Sequence, residues 1–151
     1  MKKTLTKYQV ADELLADENA NWTRSGALAL AEDFEEYEEN CGIEVELDVV
    51  AIRCDFAEYE SLEEWARCYF CDDQLAELLG TAEYEADKLK AMIQADALAA
   101  KGEHGDAEQI RRWYKNEESE RADHKEETLR DYIRYHGTLI EFDGGIIVST
   151  F

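Results

Sequence analysis

The sequence predicts an α+β fold, mostly helical, with a small three-stranded antiparallel sheet packed against helices. Three observations predict it. Apolar residues recur at helical spacing over much of the 151 residues. One β-branched run, Val49-Val50-Ala51-Ile52, interrupts that pattern. Near the C-terminus two apolar runs flank Asp143-Gly144-Gly145, and Asp-Gly supplies the positive-φ residues a tight hairpin needs.

Taken in order, Thr6 to Asp17 reads as a first helix, with Tyr8, Val10, Ala11, Leu14 and Leu15 at helical spacing. Asn19-Ala20-Asn21 breaks it. Ser25 is the expected cap of a second helix to about Asn40, with Leu28, Ala31, Phe34 and Tyr37 as its apolar stripe. Gly42 stops that helix. Glu44 to Cys54 alternates and then turns apolar, so residues 45–54 are expected to form a strand, buried on both faces near its centre. Ser61-Leu62-Glu63-Glu64 fits the start of a capped helix through about Phe70. A short acidic helix, Asp72 to Leu79, stops at Gly80. Thr81 to Ala100 is a long helix rich in Ala, Leu, Lys and Glu, and Lys101 to Gly105 breaks it. Asp106 to about Tyr135 is helical again, in one piece or in two that part near Asp123. Residues 138–142 and 146–151 form the hairpin, which joins 45–54 in the sheet with helices on one face. The whole reads as a single domain, 1–151. Residues 81–125, nearly balanced in charge and weakly apolar, are set apart as a helical insertion.

The charge is the most informative feature. The chain holds 16 Lys and Arg against 37 Asp and Glu, a net charge of −21. Residues 12–87 contain 24 acids and only Arg24, Arg53 and Arg67, while residues 88–151 contain 13 acids and 10 bases. Acidity that served solubility alone would be spread along the chain, with signs mixed. With 45% apolar and 11% aromatic residues, this is a globular composition and not a disordered acidic tail. Direct binding to nucleic acid or an anionic membrane is excluded by repulsion. No apolar run approaches the roughly 18 residues of a membrane helix. Polar residues follow Met1-Lys2-Lys3-Thr4 in place of a leader's apolar stretch. A cytoplasmic protein of a bacterial host is expected.

Motifs for chemistry are few. Cys68-Tyr69-Phe70-Cys71 has the CxxC spacing, but Cys41 and Cys54 belong to no short pair and His104, His124 and His136 lie far along the chain. These cysteines are read as partly buried thiols in a reducing cytosol, with a metal or redox role as the lesser reading. The chain has no phosphate-binding glycine loop, no HExxH and no nucleophile elbow. Neither a catalytic residue, a metal nor a cofactor is expected, and the protein is read as a non-enzyme.

The acids instead fall into rows. Residues three or four apart on a helix bring their Cβ atoms within about 5–6 Å. Glu32, Glu35, Glu36 and Glu39 form one such row. Asp55, Glu58, Glu60, Glu63 and Glu64 form a second, and Asp72, Asp73 and Glu77 a third. DNA carries a phosphate per about 3.4 Å of rise on each strand. Carboxylates at a comparable pitch suit the Lys and Arg groups that a protein aims at phosphates. Aromatics lie among them. Trp65 is read as core, while Tyr59 is as readily an interface anchor as a core residue. Arg53 and Arg67 are expected to pair within the acidic field.

Two stretches resemble the ArdA-type antirestriction proteins: Ala57-Glu58-Tyr59-Glu60-Ser61-Leu62-Glu63-Glu64-Trp65-Ala66, and Leu129-Arg130-Asp131-Tyr132-Ile133 leading into the C-terminal hairpin. The resemblance covers about 30 residues. It implies an acidic, dimerising protein of a phage or mobile element that imitates bent DNA and blocks restriction enzymes. The expected partner is therefore a basic DNA-binding protein or defence complex, of the restriction-modification or CRISPR type, with its DNA groove occupied. The alternative is an adaptor that binds a basic, nucleic-acid-associated protein without inhibiting it. Residues 81–125 are either a homodimerisation arm or a contact specific to the target.

Overall fold

Thr6 begins α1 (Lys7–Ala16) as a capping box: its hydroxyl accepts from the Gln9 amide, and the Gln9 side chain accepts from the Thr6 amide. The structure is a computed structural model and describes residues 4–151; the expectation drawn from the N-terminal Met1-Lys2-Lys3 lies outside them. Seven helices and a three-stranded antiparallel sheet make up the described chain. α2 (Arg24–Cys41) is capped by the Thr23 hydroxyl, bonded to the Gly26 amide at 3.0 Å, and not by Ser25. Gly42, with φ 65°, ends it in the left-handed conformation as expected.

The expected strand at 45–54 is not a strand. Val49–Asp55 is a helix, α3, because the Asp48 carboxylate accepts from the Val50 and Ala51 amides, both at 3.0 Å. One cap outweighs the β preference of Val49-Val50. Of the apolar run only Ile52 is buried, and Val50 is 50% exposed. The strand comes next, as β1 (Phe56–Tyr59).

The helices α4 (Leu62–Tyr69), α5 (Asp72–Leu79) and α6 (Thr81–Ala100) come after it, and α7 (His104–His136) runs unbroken through Asp123. β2 (Leu139–Phe142) and β3 (Gly145–Ser149) form the hairpin. β3 is the central strand, in the order β1-β3-β2, with Phe56 opposite Ser149 and Ile140 opposite Ile147.

The chain divides into two compact units, one from the chain up to Trp65 together with Arg130–Phe151, the other Ala66–Leu129. In the first unit the sheet is covered on both faces, not one. Ile140 and Ile147 point with the α1 and α2 residues Ala11, Leu14, Ala27 and Leu30 into one core. α2 therefore buries Ala27, Leu30 and Ala31, and Tyr37, expected in its apolar stripe, is 51% exposed. The alternate positions, Ile146 and Val148, are also buried. On that side Glu141 binds Arg130 of α7 at 2.8 Å and Arg134 at 3.6 Å. The buried Trp65 lies beside Tyr132 and Phe151 at ring distances of 6.2 and 6.3 Å.

Arg53 fastens α3 to the end of α1 by binding Asp17 at 2.7 Å, so it pairs outside the acidic rows. Asp17 is well enclosed, its side chain 7% exposed. The Arg53 guanidinium and the Asn19 amide hold its carboxyl below the usual range. The unfolded chain thus takes up that proton first as pH falls. The stabilisation is complete above about pH 4 and is lost as pH drops through the folded value. Asp17→Asn is expected to be less stable than the parent at pH 7, with the difference closing in acid. Urea midpoints of both proteins across this range check it; a constant difference would mean that the ion pair does not contribute.

The second unit is a helical assembly. Arg121 stacks over the Tyr84 ring at 4.0 Å and donates to the Gly80 carbonyl at 3.1 Å. Lys88 pairs with Glu118, and Arg111 with Asp96 at 2.7 Å. Small residues, Ala95 and Ala107, are fully buried, as close approach of helices requires. The 81–125 segment lies within this unit.

Candidate partner-binding surface

The four acids of the α2 row all lie exposed on one continuous helix. Glu32 is matched by Lys7 at 2.7 Å, which raises the lysine's pKa. Glu35, Glu36 and Glu39 have neither an ion pair nor a hydrogen bond among the described residues. Their position is electrostatically costly: Glu39 lies four residues from Glu35 and three from Glu36, so the like charges repel. Glu39 also stands in the last turn of α2, where a helix end favours cations and no base is present. Repulsion reaches inward too: burial, and then Glu36, push the Asp33 carboxyl above its usual range.

The second row is arranged differently. Asp55 is exposed at the end of α3. Glu58 turns inward: one carboxylate oxygen accepts from the Thr23 amide at 2.9 Å, the other from the Thr23 hydroxyl at 2.6 Å. It finishes the start of α2 and does not belong to an open row. Tyr59 is half-buried at the end of the edge strand β1. Glu60 is exposed, and its amide donates to Glu64 at 2.7 Å. Glu63 and Glu64 occupy the first turn of α4, where the Ser61 hydroxyl accepts from the Glu64 amide at 3.1 Å. Acids there are favoured by the positive helix end. The second row is thus split between the end of α3, the inward-turned Glu58 and the start of α4, and is not one helix face like the row on α2.

The third row belongs to the second unit. Asp72 and Asp73 sit in the first turn of α5, again a favourable place, and Glu77 is exposed further along. The third row thus has two of its three acids at a favourable helix start, whereas the α2 row has none there and ends with Glu39 in the last turn.

Beside the α2 row lies a groove of about 670 Å³ between α1, α2 and the irregular segment 42–48. Val10, Phe34 and Leu47 form its apolar floor, and Glu35, Glu38, Glu44 and Glu46 its rim. The Glu38 carboxylate accepts from the Val45 amide and so holds the outer wall. Sequence reasoning missed this feature because it placed 45–47 in a strand. The available signal was a helix stop at Gly42 followed by alternating Glu44, Val45, Glu46 and Leu47.

The four cysteines are exposed and free, not partly buried. Cys68 lies in the last turns of α4, whereas Cys71 precedes α5 with its amide donating to Gln74, so the two do not share a helix face. Among the described residues no three or more His, Cys, Asp or Glu are grouped to hold a metal, and no helix is long and apolar enough to cross a membrane. Comparison with protein families, curated proteins and solved structures finds no match.

Proposed function

We propose that this chain is a non-enzymatic DNA mimic that occupies the DNA-binding groove of a basic defence protein of the restriction-modification or CRISPR type. The observation that carries this reading is the α2 row. Glu35, Glu36 and Glu39 are exposed, have no ion pair or hydrogen bond among the described residues, and repel one another at helical spacing, with Glu39 also in the last turn where the helix dipole opposes it. An arrangement that costs stability and satisfies nothing inside the molecule suits a cationic partner outside it. The net charge of −21 adds long-range attraction, which speeds encounter and makes it salt-sensitive. The likeness of 57–66 and 129–133 to ArdA-type proteins points to the same class of target, encountered by a phage or mobile element.

The test is capture. The immobilised protein is passed through lysate of the native host at low salt and eluted on a salt gradient. The expected result is a defined DNA-binding defence enzyme that duplex DNA also releases and that the free protein inhibits. A partner retained in the presence of excess duplex DNA and left active would overturn mimicry.

A further inference from the structure

We propose that the groove between α1, α2 and the 42–48 segment seats a short stretch of a partner protein in which apolar side chains alternate with lysine or arginine. The proposal rests on DNA mimicry only for the sign of the partner's charge. The groove has two parts of different chemistry. Its floor is apolar: Phe34, packed edge-on to Phe56 at 5.8 Å, with Val10 and Leu47, all half-buried. Its wall carries Val45, 42% exposed. Apolar side chains seated on these surfaces would remove them from solvent, which is favourable. The rim is acidic, with Glu35 and Glu38 from α2 facing Glu44 and Glu46 from the irregular segment. Among the described residues Lys7 is the base that lines it, and that charge is engaged by Glu32.

Charge complementarity decides the occupant. An apolar floor alone would take any hydrophobic side chain, and a carboxylate rim alone any cation. Both together select a segment that carries the two in alternation. Extended chain presents alternate side chains to opposite sides, so leucine-like groups reach the floor while neighbouring cations stay at the rim. The volume, about 670 Å³, is that of an ordinary binding cleft.

The probe is the fluorescein-labelled heptapeptide Lys-Leu-Lys-Leu-Lys-Leu-Lys, titrated into the full chain and followed by anisotropy and by amide NMR shifts. The comparison peptide replaces each leucine by serine and keeps the charge. Seating even one leucine on the floor is worth about 10-fold in affinity or more, so the leucine peptide is expected to bind at least that much more tightly. The largest shifts are expected at residues of α1, α2 and the 42–48 segment. Val45→Asp, at an exposed position, is expected to keep the fold and abolish the preference for leucine. Equal binding of the two peptides, an undiminished preference in a folded Val45→Asp protein, or shifts centred on α5 would each overturn the groove. Mimicry is judged separately, by DNA-displaceable capture of a target. Loss of that result with the leucine preference intact would overturn mimicry and leave the groove standing.

Discussion

Converting Glu35, Glu36 and Glu39 together to lysine is expected to abolish capture of the basic partner, weakening it more than about 100-fold at low salt. On the proposed reading each reversal replaces an attraction by a repulsion, and the three sit within two turns of α2, so a phosphate-binding surface would meet all of them at once. A single reversal leaves its neighbours in place and is expected to cost only a few-fold. The folded chain should survive the triple change. The side chains are exposed, and lysine at position 39, in the last turn of α2, interacts favourably with the dipole. Thermal stability is therefore expected to hold or rise while binding is lost. This opposition separates recognition from misfolding. The matched control reverses Asp72, Asp73 and Glu77, an equal number of acids that mostly sit at a favourable helix start. Binding assays on both triple variants, with melting curves, decide the matter. Undiminished capture by the α2 variant would remove the row from the interface.

The second large effect concerns stability and has a sign that depends on background. A Cβ on Gly26 would fall well inside van der Waals contact of the Glu58 carboxylate. Glu58 cannot give way cheaply, because both of its oxygens are bonded to Thr23. Gly26→Ala is thus expected to expel the carboxylate and destabilise the first unit by about 1–3 kcal/mol, the cost of losing hydrogen bonds to a charged acceptor. Glu58→Ala alone is expected to cost a similar amount. In the double variant the clash is absent, and alanine is the better helix former by up to about 1 kcal/mol. Gly26→Ala should therefore stabilise the Glu58→Ala protein. Urea titrations of the four proteins form a double-mutant cycle. Equal destabilisation by Gly26→Ala in both backgrounds would show that Glu58 does not restrict that position.

Much of the helical architecture is legible in the sequence because glycines punctuate it. Gly42 and Gly80 stop α2 and α5 in left-handed conformations, and Asp143-Gly144 turns the hairpin. The failure at 45–54 has a local cause. A run of Val-Val-Ala-Ile carries strand preference, but Asp48 immediately before it binds two amides and starts a helix. Residues 56–59 lack a tell-tale pattern, since all four are half-buried. The α2 acids were legible as a row from their spacing. What spacing does not disclose is direction: Glu58 reads like its acidic neighbours until the start of α2 is seen to lie against it. Nor does spacing show that Glu58 stands opposite Ile147, because that depends on which strand occupies the centre.

That centre has a consequence for how the molecule comes into being. β1 cannot be completed without β3, and Thr150, just past β3, bonds back to Asp55 across a separation of 95 residues. Contacts this distant are slow to form, since a long loop must close before they reward it. On the ribosome α1 to α4 emerge early yet lack their sheet, and wait while the helical second unit, whose partners are nearer in sequence, is made. The first unit closes only when β2 and β3 have been made. Until then neighbouring copies, each of net charge −21 when complete, repel one another, which opposes association of the unclosed chains.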